Sequence, residues 1–442
     1  IEVHPSAPSM IFAAGNLGLF RSINGGQDWT QILTDGIADL EINTADPNQI
    51  YVLKYNPDTK FYEVWKSTDM GNSFTPRTTG WPTGLTQGEG RMALTPADSK
   101  RIYAVLLTSA GPRVMKSINS GESWTLAATG ETDSLKMSNG QGYYDLSIVA
   151  SPLNPDHLIV ATTTAYRSIN GGVSFSALGG YNGPFPIHPD IQEMRALGGE
   201  TWIATDGGMT LSTDFFADTK NAEARVHGLN GSDFWGFDIG WNEDVMVGGR
   251  YHNGNTAIHE NYGGRFLQMG GGEAATGYVN PGNPRRTYFS DIGGYIIAPQ
   301  FDQPATSFSA GKWPNESYYL MEFSEMAWDP RCYTTVWIGQ KNILWRSLNN
   351  GARYDSIFAT PDTNAAVEHI EISRSNPDVI YFTERSNPRA DGAIWRTGDG
   401  GKNWTQLANP PATTGWDRRV SSITLSGTDP NVLWVAYRSA AT

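Results

Sequence analysis

Short apolar runs separated by Gly, Pro, Asn and Asp set the rhythm of this chain. The clearest cover residues 10–14, 50–53, 102–105, 158–161, 336–338, 379–382 and 432–435, and many follow an x-Pro-x turn. They are rich in Ile, Val, Leu, Tyr, Phe and Trp and too short for helices, so they read as β-strands. Weaker runs at 245–247 and 287–289 keep the same rhythm. No segment carries a long 3.6-residue apolar period, and the pattern predicts an all-β fold.

Downstream of most of these runs lies an eight-residue pattern: Ser, any, Asn or Asp, any, Gly, any, any, aromatic. It reads Ser22 to Trp29, Ser67 to Phe74, Ser117 to Trp124 and Ser168 to Phe175, then Ser347 to Tyr354 and Thr397 to Trp404, with a degenerate Ser212-Thr-Asp214 between. Successive starts are separated by 45, 50, 51, 44, 135 and 50 residues. The long gap is three periods, so two units there have lost the motif and kept the spacing. Four short strands per period of about 47 residues, joined by Gly and Asn turns, is the pattern of a β-propeller blade. We expect about ten blades over residues 1–442 as a single propeller, the last incomplete; seven blades plus part of a second propeller is the alternative count. Within the motif, the Asn or Asp would cap backbone N–H groups, the Gly would take positive φ, and the aromatic would pack between blades.

Composition narrows the function classes. Charged residues make up only 17% of the chain and hydrophobic ones 39%, which suits a sizeable core. No stretch reaches the roughly 20 apolar residues of a membrane helix. A net charge of −13 disfavours attraction to nucleic acid or to anionic lipid. The single cysteine, Cys332, excludes an internal disulfide framework and fits an oxidising compartment in which spare thiols are a liability. The chain opens at Ile1 without a leader pattern, so the expectation is a secreted or cell-surface protein whose signal peptide is gone, or a fragment of a longer chain.

The repeat is similar to the Asp-box, or BNR, motif of sialidases, xyloglucanase-like glycoside hydrolases, photosystem assembly factors and the sortilin Vps10 domain. The Phe/Tyr-Arg-Ile-Pro segment and arginine triad of sialidases are not found, which disfavours that activity. The middle third resembles a narrower group, the Vps10-like, glycosyl-hydrolase-like propellers secreted by Bacteroidetes, often through the type IX system. Five segments carry this likeness: Gly140 to Leu146 (GQGYYDL), His188-Pro-Asp190-Ile-Gln192, Ala204-Thr-Asp206-Gly-Gly208, Gly248 to Gly254 (GGRYHNG) and Gly270-Gly-Gly-Glu273. In that group the fourth usually reads GGxQDNG and the fifth GGDG, so Tyr251, His252 and Glu273 depart from it. The resemblance implies a wide face or channel that binds glycan or polypeptide, with His188, Asp190, Asp206, Tyr251, His252, Asn253 and Glu273 as binding residues, to which the loop aromatic Trp235 is added from its position. It also implies an alternative, hydrolysis of a β-linked polysaccharide, and leaves a structural or secretion-associated role as a third.

In a propeller the first strand of each blade lines the central channel. That register brings Asp39, Glu89, Asp145, Asp190, Asp238, Glu325 and Glu368 to the channel mouth. Xyloglucanase-like hydrolases are similar in using an inner-strand Asp, so Asp39 and Asp145 are the leading catalytic pair. General acid and base work on a glycosidic bond needs two carboxylates about 5 to 9.5 Å apart, one of them kept protonated by burial or a like charge. The competing role for each acid is to accept hydrogen bonds from the next blade. No HxxxH or HExxH spacing occurs, so no transition metal or other cofactor is expected; calcium at an Asp-rich loop is left open because loop carbonyls and carboxylates suffice to hold it.

Several aromatics fall in Gly/Pro/Asn-rich loops: Trp81, Tyr143, Tyr144, Tyr181, Phe185, Trp235, Tyr251, Tyr262, Trp313 and Trp416. Exposed ones would stack on sugar faces or anchor a protein, and buried ones would pack blades. The expected partners are a polysaccharide or a secreted or surface protein, together with further residues or another chain to complete the last blade.

Overall fold

The computed structural model describes residues 1–130, 135–137, 141–229, 231, 234–250, 253–271, 277–289, 291–310, 325–385, 392–408 and 420–437. Among them are nine antiparallel sheets of four strands and a last sheet of two, each built from strands consecutive in sequence. The protein is an all-β, multi-blade propeller. The two motif-free periods are blades like the rest, beginning at Phe234–Ile239 and Gly277–Asn280. The chain divides into two compact units, Ile1–Asn230 and Gly231–Thr442. Each contains five of the ten sheets. No helix is long and apolar enough to cross a membrane.

The apolar runs are the second strands of the blades. Leu158–Ala161 and Ile102–Thr108 are buried at every position. A strand covered on both faces has no polar side to show, so it reads as an unbroken apolar run rather than an alternation. The cores accordingly lie between successive sheets. Leu107 and Val114 of the third blade pack with Ile148, Val160 and Phe175 of the fourth. Trp337 and Leu344 of the eighth pack with Ile370, Phe382 and Trp395 of the ninth. First strands of neighbouring blades also pack against one another, as Ile37–Ile42, Gln87–Leu94, Ser147–Ala150 and Ile191–Leu197 do in the first unit.

The repeated motif is a hydrogen-bonded turn centred on its serine. The fully buried Ser117 hydroxyl accepts from Gly121 N at 2.9 Å and donates to Asn119 Oδ1, which in turn accepts from Ser123 N at 3.0 Å. Gly121 sits at φ +79°, where a side chain is strained. The degenerate copy keeps the core of this turn: Ser212 Oγ accepts from Phe216 N at 2.8 Å, with Phe216 itself at φ 57°. The sequence pattern points to the Asn and Gly, whereas the serine satisfies the most deeply placed amide. Aromatic positions differ between copies, since Trp124 is buried against Trp81 with ring centroids 4.9 Å apart, while Trp29 is 41% exposed. Ser117→Ala leaves the Gly121 amide without its acceptor and is expected to cost about 1–3 kcal/mol. Urea unfolding checks this, and a loss below about 0.5 kcal/mol would assign the turn to the Asn and Gly alone.

The last sheet pairs Val420–Leu425 with Leu433–Tyr437 and, among the described residues, presents an open outer edge. Trp434 on that edge strand is 59% exposed.

Candidate functional site

The inner strands of the first unit surround a polar cavity of about 330 Å³. A register shift between Ile37 and Asp39 interrupts the alternation of the second blade's inner strand. Asp39 lines the cavity and its Oδ2 accepts a hydrogen bond from Met92 N of the next blade at 2.5 Å. Burial pushes its carboxyl up to about 6 against the pull of that bond and of Arg91. The Glu41 carboxyl is held well above the usual carboxylate range, by burial and then by the charges of Asp39 and Glu2. Arg195 faces the same space, 3.0 Å from Glu193 and 3.8 Å from Glu2.

Three of the five segments singled out in the sequence converge elsewhere in this unit. The short helix Gly142–Asp145 ends as the fourth blade's inner strand begins, and it delivers Asp145 to a fully buried position. Neither carboxylate oxygen of Asp145 accepts a hydrogen bond from another described residue. Burial, then the charge of Asp190, then that of Asp206, raise it to about 7. Asp206 is held in place by Tyr144 Oη at 2.9 Å and Gln192 Nε2 at 2.9 Å. His188 closes the group, because a Cβ on Gly207 would fall 2.4 Å from its ring. Asp190 holds φ 61°, a strained setting of the kind that collects at functional sites. The structure thus brings Asp145, His188, Asp190 and Asp206 together, whereas Asp39 faces the different set of groups around Glu41 and Arg91. Among the described residues, no group of three His, Cys, Asp or Glu side chains is arranged to hold a metal ion.

The inner strands of the second unit frame a larger cavity, about 920 Å³. Its wall is aromatic, with Phe237, Trp241, Tyr278, Trp328 and Tyr333. Trp241 is 70% exposed and Phe237 63%, while the buried Nε1 of Trp328 has no partner among the described residues. Three carboxylates, Asp238, Glu325 and Glu371, share the space with Arg374. Asp238 repeats the arrangement of Asp39: its Oδ2 accepts from Val279 N of the next blade at 2.8 Å, and burial raises its carboxyl. Glu325 Oε1 lies 2.8 Å from His369 Nδ1. Burial opposes charge on that imidazole, but the bond to Glu325 and the surrounding acids raise it overall. Glu371 is pushed up to about 7, first by burial and then by Glu325. Facing carboxylates with different environments suit proton donation by one and acceptance by the other.

The remaining sequence candidates separate by their contacts. Glu368 pairs with Arg385 at 2.9 Å and Glu89 with Arg91 at 3.9 Å. Asn253 closes a turn, its N–H donating to Arg250 O and its carbonyl accepting from Arg250 Nη2. Tyr251, His252, Glu273, Trp313, Trp416 and the side chain of Trp235 lie outside the described residues. Trp81, Phe185 and Tyr262 are buried packing groups, whereas Tyr143 and Tyr181 are exposed. Sequence reasoning missed Trp241, Trp328 and Glu371. For Glu371 the reason is the register shift between Val367 and Ile370, which breaks the two-residue alternation that singles out Glu368.

Fold and cavities together define a multi-blade β-propeller, and known proteins share that architecture. No family model matches the chain. A xyloglucanase from a Paenibacillus species is 25% identical over 236 residues, 50% of this chain and 21% of that protein, so the match spans about a fifth of its length. Among solved structures, the GH74 xyloglucanase from Xanthomonas campestris superposes with a TM-score of 0.64 at 15% identity, covering 98% of this chain and 68% of that one. PorZ, a surface component of the type IX secretion system of Porphyromonas gingivalis, gives 0.50 at 16% identity, with 97% and 57% covered.

Proposed function

We propose that this chain is part of a secreted or cell-surface propeller that binds a polysaccharide in the cavity of its second unit. The aromatic wall beside three carboxylates carries this reading. Flat indole and phenol faces stack on the C–H faces of sugar rings, and the acids accept hydrogen bonds from hydroxyl groups. The partial match to a xyloglucanase supports a glycan over a polypeptide ligand. The single cysteine and acidic charge agree with a location outside the cell.

Hydrolysis is the second reading, and the carboxyl of Glu371, protonated to about pH 7 beside Glu325, favours it. The pair chosen from sequence, Asp39 and Asp145, remains in the test because both carry raised carboxyls. A polysaccharide panel assayed for retention and for reducing-end release separates the readings. Retention without release is expected from a binding module. Release abolished in Glu325→Gln with Glu371→Gln would make it a hydrolase acting from the second unit, and release abolished in Asp39→Asn with Asp145→Asn would move the chemistry to the first. Failure of every polysaccharide, with capture of a surface protein, would favour the sortilin-like reading.

A further inference from the structure

The chemistry of the second unit's cavity selects among glycans, a selection that rests on the polysaccharide reading of that cavity. We infer that its ligand carries protonated amino groups, as a polymer containing unacetylated hexosamine does. Three carboxylates, Asp238, Glu325 and Glu371, line this cavity against one guanidinium, Arg374. Asp238 is already engaged by two backbone amides, Val279 N and Ile239 N. Glu325 is engaged on one oxygen by His369. Glu371 has only a long contact with the Thr424 hydroxyl, at 3.4 Å, and is the least satisfied of the three.

A neutral sugar entering this space supplies no counter-charge to its acids, which must then keep their protons or carry an uncompensated charge out of water, and the latter is costly. An ammonium group removes that cost and makes a charge-assisted hydrogen bond. The cavity's one guanidinium, Arg374, lies 5.8 Å from the centre of the Trp241 ring. A hexosamine presents both features at once, an apolar ring face for the indoles and an ammonium for Glu371 and Glu325.

The test is calorimetric titration of the whole chain with three β-1,4-linked hexamers: glucosamine, N-acetylglucosamine and glucose. Near pH 7 at low salt the glucosamine hexamer is expected to bind about tenfold more tightly than the N-acetylated one. Raising the salt to about 0.5 M should erase most of that preference. Glu371→Gln keeps the shape and removes the group that can ionise against an ammonium, and it should cut the preference to about threefold or less. Glu325→Gln provides the same readout if the first variant does not fold. Equal or tighter binding of the N-acetylated or glucose hexamer would overturn the inference and leave the polysaccharide reading standing. If none of these hexamers and no polysaccharide of the panel is retained, the reading itself fails and the inference goes with it.

Discussion

Asp145→Asn should stabilise the first unit at alkaline pH while changing the balance far less in acid. The carboxyl is fully buried, lacks an external hydrogen-bond donor among the described residues, and is raised to about 7 by burial, Asp190 and Asp206. In the unfolded chain the same group ionises near pH 4. The folded state therefore holds a proton that the unfolded state has released. Stability is fully present below pH ~4, declines as pH rises, and has lost this contribution once pH passes about 7. A shift of about three units corresponds to up to about 4 kcal/mol over that window. Asparagine does not titrate, so any fixed packing difference it introduces appears equally at both ends. Hydrogen exchange of Ser147–Ala150 and Ile191–Leu197 at about pH 4 and pH 8 reads the effect where it arises. An offset between variant and parent that does not change with pH would show that Asp145 is not held protonated.

Trp241→Ala is expected to weaken polysaccharide retention by about 10- to 100-fold, the cost of removing an aromatic anchor from a binding cavity. The residue is 70% exposed, so its loss should change stability by less than about 0.5 kcal/mol. That separation matters, because a loss of binding by a destabilised protein would say nothing of the site. Tyr143→Ala supplies the control: this ring is 78% exposed and lies in the first unit, outside the cavity. Affinity gels scored by migration, with unfolding curves for each variant, compare the two directly. Equal retardation of Trp241→Ala and its parent would remove the aromatic wall from the proposed function.

Legibility differed from one feature to the next. Ser117, Gly121 and their counterparts were recognisable because a tight turn with its own hydrogen bonds needs a fixed local spacing, which repeats whatever surrounds it. The second strands stood out for a related reason, since burial on both faces makes them continuously apolar. Asp145, His188, Asp190 and Asp206 were individually visible as polar residues next to inner strands. Their convergence was not, because Asp145 and Asp206 are 61 residues apart and belong to successive blades. Trp241 and Trp328 resemble any other strand or turn aromatic until the folded chain shows which face is open. The register shift before Ile370 added a further obstacle, because it reverses the face that alternation assigns.

Sequence alone determined the all-β class, the blade period, the turn chemistry and the presence of blades where the motif is missing. These depend on interactions within one period, between residues a few positions apart. Tertiary structure decided which acids share a site, that Asp39 and Asp238 serve a neighbouring strand's amide, and that Glu371 with Trp241 and Trp328 lines the larger cavity. Those outcomes depend on burial and on charges brought near by other blades, and neither quantity is written in the spacing of residues along the chain.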